Sequence, residues 1–169
     1  MIELFYLVFG VVVIQRLVEL IISKQNEKWL LANGAVEHGS SHYKYIVIMH
    51  ICFFLSLLAE FNLSDRYKEL NIINYSFLVF FILLQFGRVW VLASLGKFWN
   101  TKIFRIKGVE LVKKGPYKFF KHPNYIVVIL EILILPLIFN LYYTSIIFTV
   151  LNALMLSVRI KEENKALVL

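Results

Sequence analysis

The chain alternates long apolar runs with short polar intervals, and the runs are continuous rather than alternating residue by residue. About 20 apolar residues cross the hydrocarbon core as a helix, whereas barrel strands alternate apolar and polar positions. The first run covers residues 2–22 and carries Gln15, Arg16 and Glu19 toward its inner end. Arg16 and Glu19 share a helical face and can pair. A polar loop is expected from Ser23 to Tyr43, followed by spans at 45–63 and 72–95 with a short polar connection between them. Residues 124–158 form a run of about 35 residues, too long for one crossing. Pro136 and Asn140 interrupt it, and Pro disfavours a continuous helix. A helical hairpin is expected, with arms at 126–138 and 142–158 and a turn near Phe139–Tyr143. Its first arm is short for a full crossing, which would tuck the turn into the bundle. The pattern predicts an all-α integral membrane protein, a bundle of about five transmembrane helices in one membrane domain over residues 1–169.

Composition agrees. Of 169 residues, 60% are hydrophobic, against roughly 45–50% in soluble domains, and the mean hydropathy is +0.73. The net charge of +7 would suggest nucleic acid in a soluble protein. Here the basic residues flank apolar runs, so membrane orientation explains them and no nucleic-acid partner is expected. Lys24, Lys28 and Lys44 follow the first span, Lys97 to Lys121 form a strongly basic stretch, and Arg159, Lys161 and Lys165 lie in the tail. The opposite loop offers only Arg66 and Lys68. This asymmetry places the N-terminus outside, with the polar regions and C-terminus in the cytoplasm. The opening Met1-Ile2-Glu3 has no basic n-region and reads as a retained span. Cys52, inside an apolar run, reads as a small buried hydrophobe. His38 and His42 have helical spacing, but no Cys or carboxylate completes a metal site, and no metal is expected.

Ionisable groups within spans are costly and are usually paired or functional. Snorkelling accounts for Arg16 and Arg88 near the span ends. Glu131, inside an apolar helix, must be protonated, paired with a cation such as Arg16 or Arg88, or in contact with a ligand. The polar stretch 96–121 interleaves Lys with Phe98, Trp99, Phe104, Phe119 and Phe120, which suits a segment lying along the headgroups. It leads into Gly115-Pro116-Tyr117-Lys118-Phe119-Phe120-Lys121-His122-Pro123-Asn124-Tyr125. Gly115-Pro116 marks a turn, and Pro123 suits the first helical position, leaving His122 and Asn124 beside free backbone donors. Arg159 and Glu163, one turn apart at the other foot of the hairpin, share a face. Together these clusters are expected to supply half of a polar pocket on the cytoplasmic side. It would suit a charged, water-soluble cofactor, with a lipophilic acceptor arriving from the bilayer. S-adenosylmethionine fits, because its adenosine needs an aromatic slot and its sulfonium is served by carboxylates or aromatic faces. No Gly-rich dinucleotide-binding turn is present.

At these residues the chain resembles the isoprenylcysteine carboxyl methyltransferase family of integral-membrane enzymes. The resemblance lies in Gly115-Pro116-Tyr117, in Lys121-His122-Pro123-Asn124-Tyr125 and in Arg159-Ile160-Lys161-Glu162-Glu163, with Leu95-Gly96 and Glu110-Leu111-Val112 matching upstream. It implies that Leu111, Val112, Tyr117, His122, Pro123, Asn124, Tyr125 and Glu163 bind S-adenosylmethionine without a metal. Arg159 and Glu163 would be catalytic, Arg159 by orienting the acceptor oxygen. The catalytic region would comprise residues 95–125 and 159–167. Lys121 stands where the family has Arg, keeping the charge but not the bidentate fork, and the chain stops at Leu169 without the family's aromatic extension. The blocks Arg16-Leu17-Val18-Glu19-Leu20, Asn26-Glu27-Lys28-Trp29 and Gly34-Ala35-Val36-Glu37 resemble a small bacterial branch. That branch implies a lipophilic enol or phenol acceptor, such as an alkylpyrone from a type III polyketide synthase, rather than a prenylcysteine. Two rivals make different demands. A membrane oxidoreductase of related bundle fold would oxidise a nicotinamide cofactor without methyl transfer. A non-enzymatic transport or scaffold subunit would line a path across the bundle with polar groups, which here gather on one side.

Overall fold

The computed structural model describes residues 2–63 and 70–167. It is helical, with α1 at Ile2–Ala32, α2 at Ser40–Leu63, α3 at Ile72–Leu95, α4 at Pro123–Leu137 and α5 at Tyr142–Leu167. Four of these are long and apolar enough to cross a membrane, and α4 is a shorter apolar helix. The expected all-α bundle is therefore observed. Arg66 and Lys68, the cations of the opposite loop, lie outside the described residues.

Helix α1 corrects the expected loop after residue 22. Its 31 residues span about 46 Å at 1.5 Å per residue, more than the roughly 30 Å hydrocarbon core. The extra length carries Ser23 and Asn26 out to the polar stretch 96–101. A second correction is a small antiparallel sheet. Strand β1 (Ala35–His38) pairs with β2 (Ile103–Ile106), with Ala35 opposite Ile106 and His38 opposite Ile103. Part of the segment expected to lie flat along the headgroups is thus pinned to the end of the bundle. The sheet also separates the two histidines: His38 ends β1, whereas His42 is buried in α2.

Helix α3 begins with a reciprocal cap. Asn71 Oδ1 accepts from the backbone of Ile73 at 2.8 Å, and Asn74 Oδ1 accepts from the Asn71 backbone at 2.9 Å. Such caps satisfy N–H groups that have no intrahelical partner. The α4–α5 turn matches its expected place. Asn140 adopts a left-handed φ of 57°, a conformation Asn tolerates, and its side chain accepts from Asn74 at 2.8 Å. With 15 residues, α4 covers only about 22 Å, and the turn is enclosed, Ile138 and Leu141 being fully buried. Glu60 of α2 caps α5, accepting from the backbone of Tyr143 at 3.1 Å and of Thr144 at 2.7 Å. A carboxylate at a helix N-terminus is favourable.

The helices are apolar outside as well as inside. Leu7, Val11, Ile14, Val79, Leu83 and Val89 are exposed, as expected where the solvent is lipid. Cys52 is exposed too, correcting its assignment to the interior: an outward apolar position in lipid carries the same residue types as a core one.

At the centre, two cations meet two anions. Arg88 donates to both Glu19 oxygens and reaches Glu131 Oε2 at 2.8 Å. Arg16 bridges the same carboxylates at 2.9 Å and 2.6 Å. Gln15 and Gln85 add bonds to Glu19 and Glu131 at 3.2 Å and 3.0 Å. The quartet is neutral overall, which is how charge is tolerated within an apolar layer. Arg88, Glu19 and Glu131 are buried, so pairing replaces the expected snorkelling of Arg88 and resolves the choice open for Glu131.

Candidate active site

The two motifs at the feet of the α4–α5 hairpin converge. A 3-10 turn over Gly115–Lys118 lays the chain against α3. Gly115 has a φ of 52°, and a Cβ there would fall 3.0 Å from Trp90 Nε1 and closer still to Ser94 Oγ. Both the left-handed backbone and the close approach require glycine. Pro123 is the first residue of α4 and His122 its cap. This brings His122, Asn124 and Tyr125 against the last turns of α5.

Tyr125 is the hub. Its hydroxyl donates to Glu163 and accepts from Arg159 Nε at 2.8 Å. The Arg159 guanidinium also lies over the Tyr125 ring, 5.6 Å from its centroid, and the His122 ring stacks on Tyr125 at 5.3 Å. Arg159 Nη2 donates to the Thr101 carbonyl at 2.7 Å. Among the described residues, nothing hydrogen-bonds to Arg159 Nη1 or to Glu163 Oε1. One donor of the cation and one oxygen of the anion thus stay uncommitted.

These groups open on a cleft of about 100 Å³ lined by Tyr117, His122, Asn124, Tyr125, Arg159 and Glu163. Its other wall is Phe98, Trp99, Asn100, Lys102 and Phe104; these lie within the expected catalytic region, but the sequence assigned none of them a site role and read the aromatic ones as headgroup anchors. The polar extension of α1 braces that wall. Asn26 Nδ2 donates to the carbonyls of Gly96 at 3.1 Å and Trp99 at 2.7 Å. Ser23 Oγ donates to Asn100 Oδ1 at 3.1 Å and accepts from the Thr101 backbone at 3.1 Å. Lys102 is held by Glu27 at 2.8 Å and Glu37 at 3.5 Å. A signal was available: Trp99-Asn100-Thr101 sets polar and aromatic groups directly after an apolar run. Of the cofactor residues implied by the resemblance, Pro123 is buried in the α4 start, and Leu111 and Val112 lie outside the cleft lining.

Two residues that line the cleft each hold a buried polar atom with no partner among the described residues: Trp99 Nε1, a donor, and Asn124 Oδ1, an acceptor. Buried polar groups are nearly always hydrogen-bonded, so a small rotation of either side chain toward the cleft would let it meet a polar ligand. Burial first, and then the Glu163 charge, hold the Tyr117 phenol well above its usual range, so Tyr117 stays neutral and can donate.

His122 Nδ1 lies 3.4 Å from Glu163 Oε2 and Nε2 lies 3.3 Å from Asn164 Oδ1. The bond to Glu163 raises the imidazole pKa above its ordinary 6.5, with burial opposing. Stabilisation by the charged ring is therefore complete below 6.5 and lost as pH rises through the raised folded value. The gap in thermal stability between wild type and His122→Gln is expected to shrink as pH rises above 6.5. A gap that stays constant would mean that His122 is not charged in the folded protein.

The profile of the isoprenylcysteine carboxyl methyltransferase (ICMT) family matches residues 77–169, which include α4, α5 and both motifs. The chain belongs to this family of membrane methyltransferases. It is 48% identical over 164 residues to "Uncharacterized protein YpbQ" of Bacillus subtilis strain 168, covering 97% of this chain and 96% of that one. It is 29% identical over 161 residues to an "Uncharacterized protein" of Haemophilus influenzae, covering 94% and 92% respectively. No solved structure matches it significantly.

Proposed function

We propose that this protein is a multi-pass membrane enzyme that uses S-adenosylmethionine to O-methylate a lipophilic acceptor, with its site on the cytoplasmic side. The observation that carries this reading is the convergence of Tyr117, His122, Tyr125, Arg159 and Glu163 on one cleft, where among the described residues nothing hydrogen-bonds to Glu163 Oε1 or Arg159 Nη1. When bound, the cofactor supplies an electrophilic methyl group. Glu163 would hold its cationic part, helped by the aromatic faces of Phe98 and Phe104. Asn124 would accept from, and Trp99 donate to, its polar edges. The cleft is small beside the roughly 300–1,000 Å³ of small-molecule sites. Leu111 and Val112 lie outside its lining, so their implied contacts would require their segment to close on the ligand.

Arg159 has the acceptor's role. Tyr125 and the Thr101 carbonyl fix two of its nitrogens, leaving Nη1 to orient an acceptor oxygen. Positioning of this kind is worth up to about 7–11 kcal/mol. The count of Lys and Arg supports a cytoplasmic site and an N-terminus outside, and the single membrane domain leaves a lipid-soluble acceptor free to arrive from the bilayer. An enol or phenol, such as an alkylpyrone, fits this role.

Calorimetric titration of the detergent-purified protein with S-adenosylmethionine tests the reading, and absence of binding by folded protein would overturn it. Arg159→Ala is expected to lower turnover about 100-fold or more while cofactor affinity changes less than about threefold. Equal loss of both would reject the division of roles between Arg159 and Glu163.

A further inference from the structure

Thr101 lies between the 3-10 turn Gly96–Phe98 and β2, and its carbonyl accepts from Arg159 Nη2 at 2.7 Å. Its own position is set from two other helices. The Thr101 N–H donates to Ser23 Oγ of α1 at 3.1 Å. Thr101 Oγ1 lies 2.9 Å from Ser23 Oγ and 3.0 Å from the Tyr43 hydroxyl of α2. The direction of these bonds follows from their far end. Asn100 Nδ2 donates to the Ser23 carbonyl at 2.8 Å, and Asn100 Oδ1 accepts from the Lys102 backbone at 2.8 Å, which fixes the amide's orientation. Oδ1 also takes the single proton of Ser23 Oγ, at 3.1 Å. Ser23 Oγ is then left to accept, so Thr101 Oγ1 donates to it and Tyr43 donates to Thr101. Three hydroxyls thus run in one direction, from Tyr43 through Thr101 to Ser23, and end on Asn100.

Ser23, Tyr43 and Thr101 are all absent from the cleft lining. They reach its chemistry through the Thr101 carbonyl. Nε and Nη2 of Arg159 form one edge of the planar guanidinium, and that edge is committed to Tyr125 and Thr101. Tyr125 alone would leave the plane free to turn about one bond, and its hydroxyl is shared with Glu163. The Thr101 carbonyl is the second point, and a rigid planar group held at two nitrogens has the direction of its third determined. Ser23 and Tyr43 precede residue 77, so they lie outside the stretch that matches the family profile.

We propose that Tyr43, Thr101 and Ser23 are positioning residues that aim the Arg159 guanidinium, so that the N-terminal half of the chain sets where Nη1 meets the acceptor oxygen. The acceptor's part in this rests on the methyl-transfer reading above, whereas the clamp on Arg159 rests on hydrogen bonds within the chain. Linked hydroxyls polarise one another, so loss of one weakens the hold of the rest on the Thr101 peptide without any contact with ligand.

Thr101→Val keeps the side chain's shape and the carbonyl but breaks the relay at its centre. Tyr43→Phe removes only the first donor and carries the test if Thr101→Val yields too little folded protein. The chain has five arginines, so isotope labelling of arginine alone gives few side-chain NMR signals, each assigned by replacing that arginine with lysine. Exchange between the Nη signals reports how freely a guanidinium turns. In detergent-purified protein, exchange at Arg159 is expected to be about tenfold or more faster in Thr101→Val than in wild type. Arg88, held by its own buried ion pairs, should not change. No change at Arg159, or an equal change at both arginines, would overturn the proposal. With a 6-alkyl-4-hydroxy-2-pyrone as probe acceptor, Thr101→Val should lower kcat about tenfold or more while the KM for S-adenosylmethionine changes less than about threefold. An unchanged kcat, or a KM raised as far as kcat falls, would also overturn it. The expected Arg159 response in folded protein that binds no S-adenosylmethionine would reject methyl transfer and leave the clamp standing.

Discussion

Glu163→Ala is expected to lower affinity for S-adenosylmethionine about 100-fold, equivalent to ~2.7 kcal/mol. That is the range of a hydrogen bond to a charged group. Among the described residues, the substitution removes the only carboxylate that lines the cleft. It also strands the Tyr125 hydroxyl and deprives His122 of its anion. Glu163→Gln separates these effects, because the amide oxygen still accepts from Tyr125 but carries no charge. Affinity lost equally in both variants would assign the effect to charge, whereas recovery in Glu163→Gln would assign it to the Tyr125 relay. Calorimetry on folded, detergent-purified protein reads both. Unchanged affinity in Glu163→Ala would remove Glu163 from the cofactor site.

Arg88→Leu is expected to destabilise the bundle by about 3–5 kcal/mol, the cost of breaking a buried ion pair from one side. Two buried carboxylates would then share Arg16 alone, which is also their most exposed partner. Arg88→Leu combined with Glu131→Leu restores neutrality, with Arg16 and Glu19 still paired within α1. The double variant should recover part of the loss, because contacting residues couple and do not add. Thermal unfolding in detergent measures the series. Equal stability of Arg88→Leu and wild type, or strict additivity in the double variant, would mean that the quartet is not a structural unit.

Much of the architecture can be read from local sequence. A continuous apolar run of sufficient length can satisfy its backbone in lipid only as a helix. Pro136 and Asn140 break the last run for reasons confined to neighbouring residues, and the short first arm implied a turn drawn into the bundle. Arg16 and Glu19 face each other because helix geometry alone dictates it. The two polar motifs flank one hairpin, so their convergence followed from connectivity.

What tertiary structure alone decided has a common cause. A helix surrounded by lipid is apolar on every side, so periodicity does not reveal which face is inward. That is why Cys52 read as interior although it faces out, and why Arg88 read as a snorkelling group although it is buried beside Glu19 and Glu131. The extension of α1 past residue 22 looked like a loop because its polar residues serve partners some seventy positions away, Ser23 on Asn100 and Asn26 on Trp99. The pairing of residues 35–38 with 103–106 is equally remote.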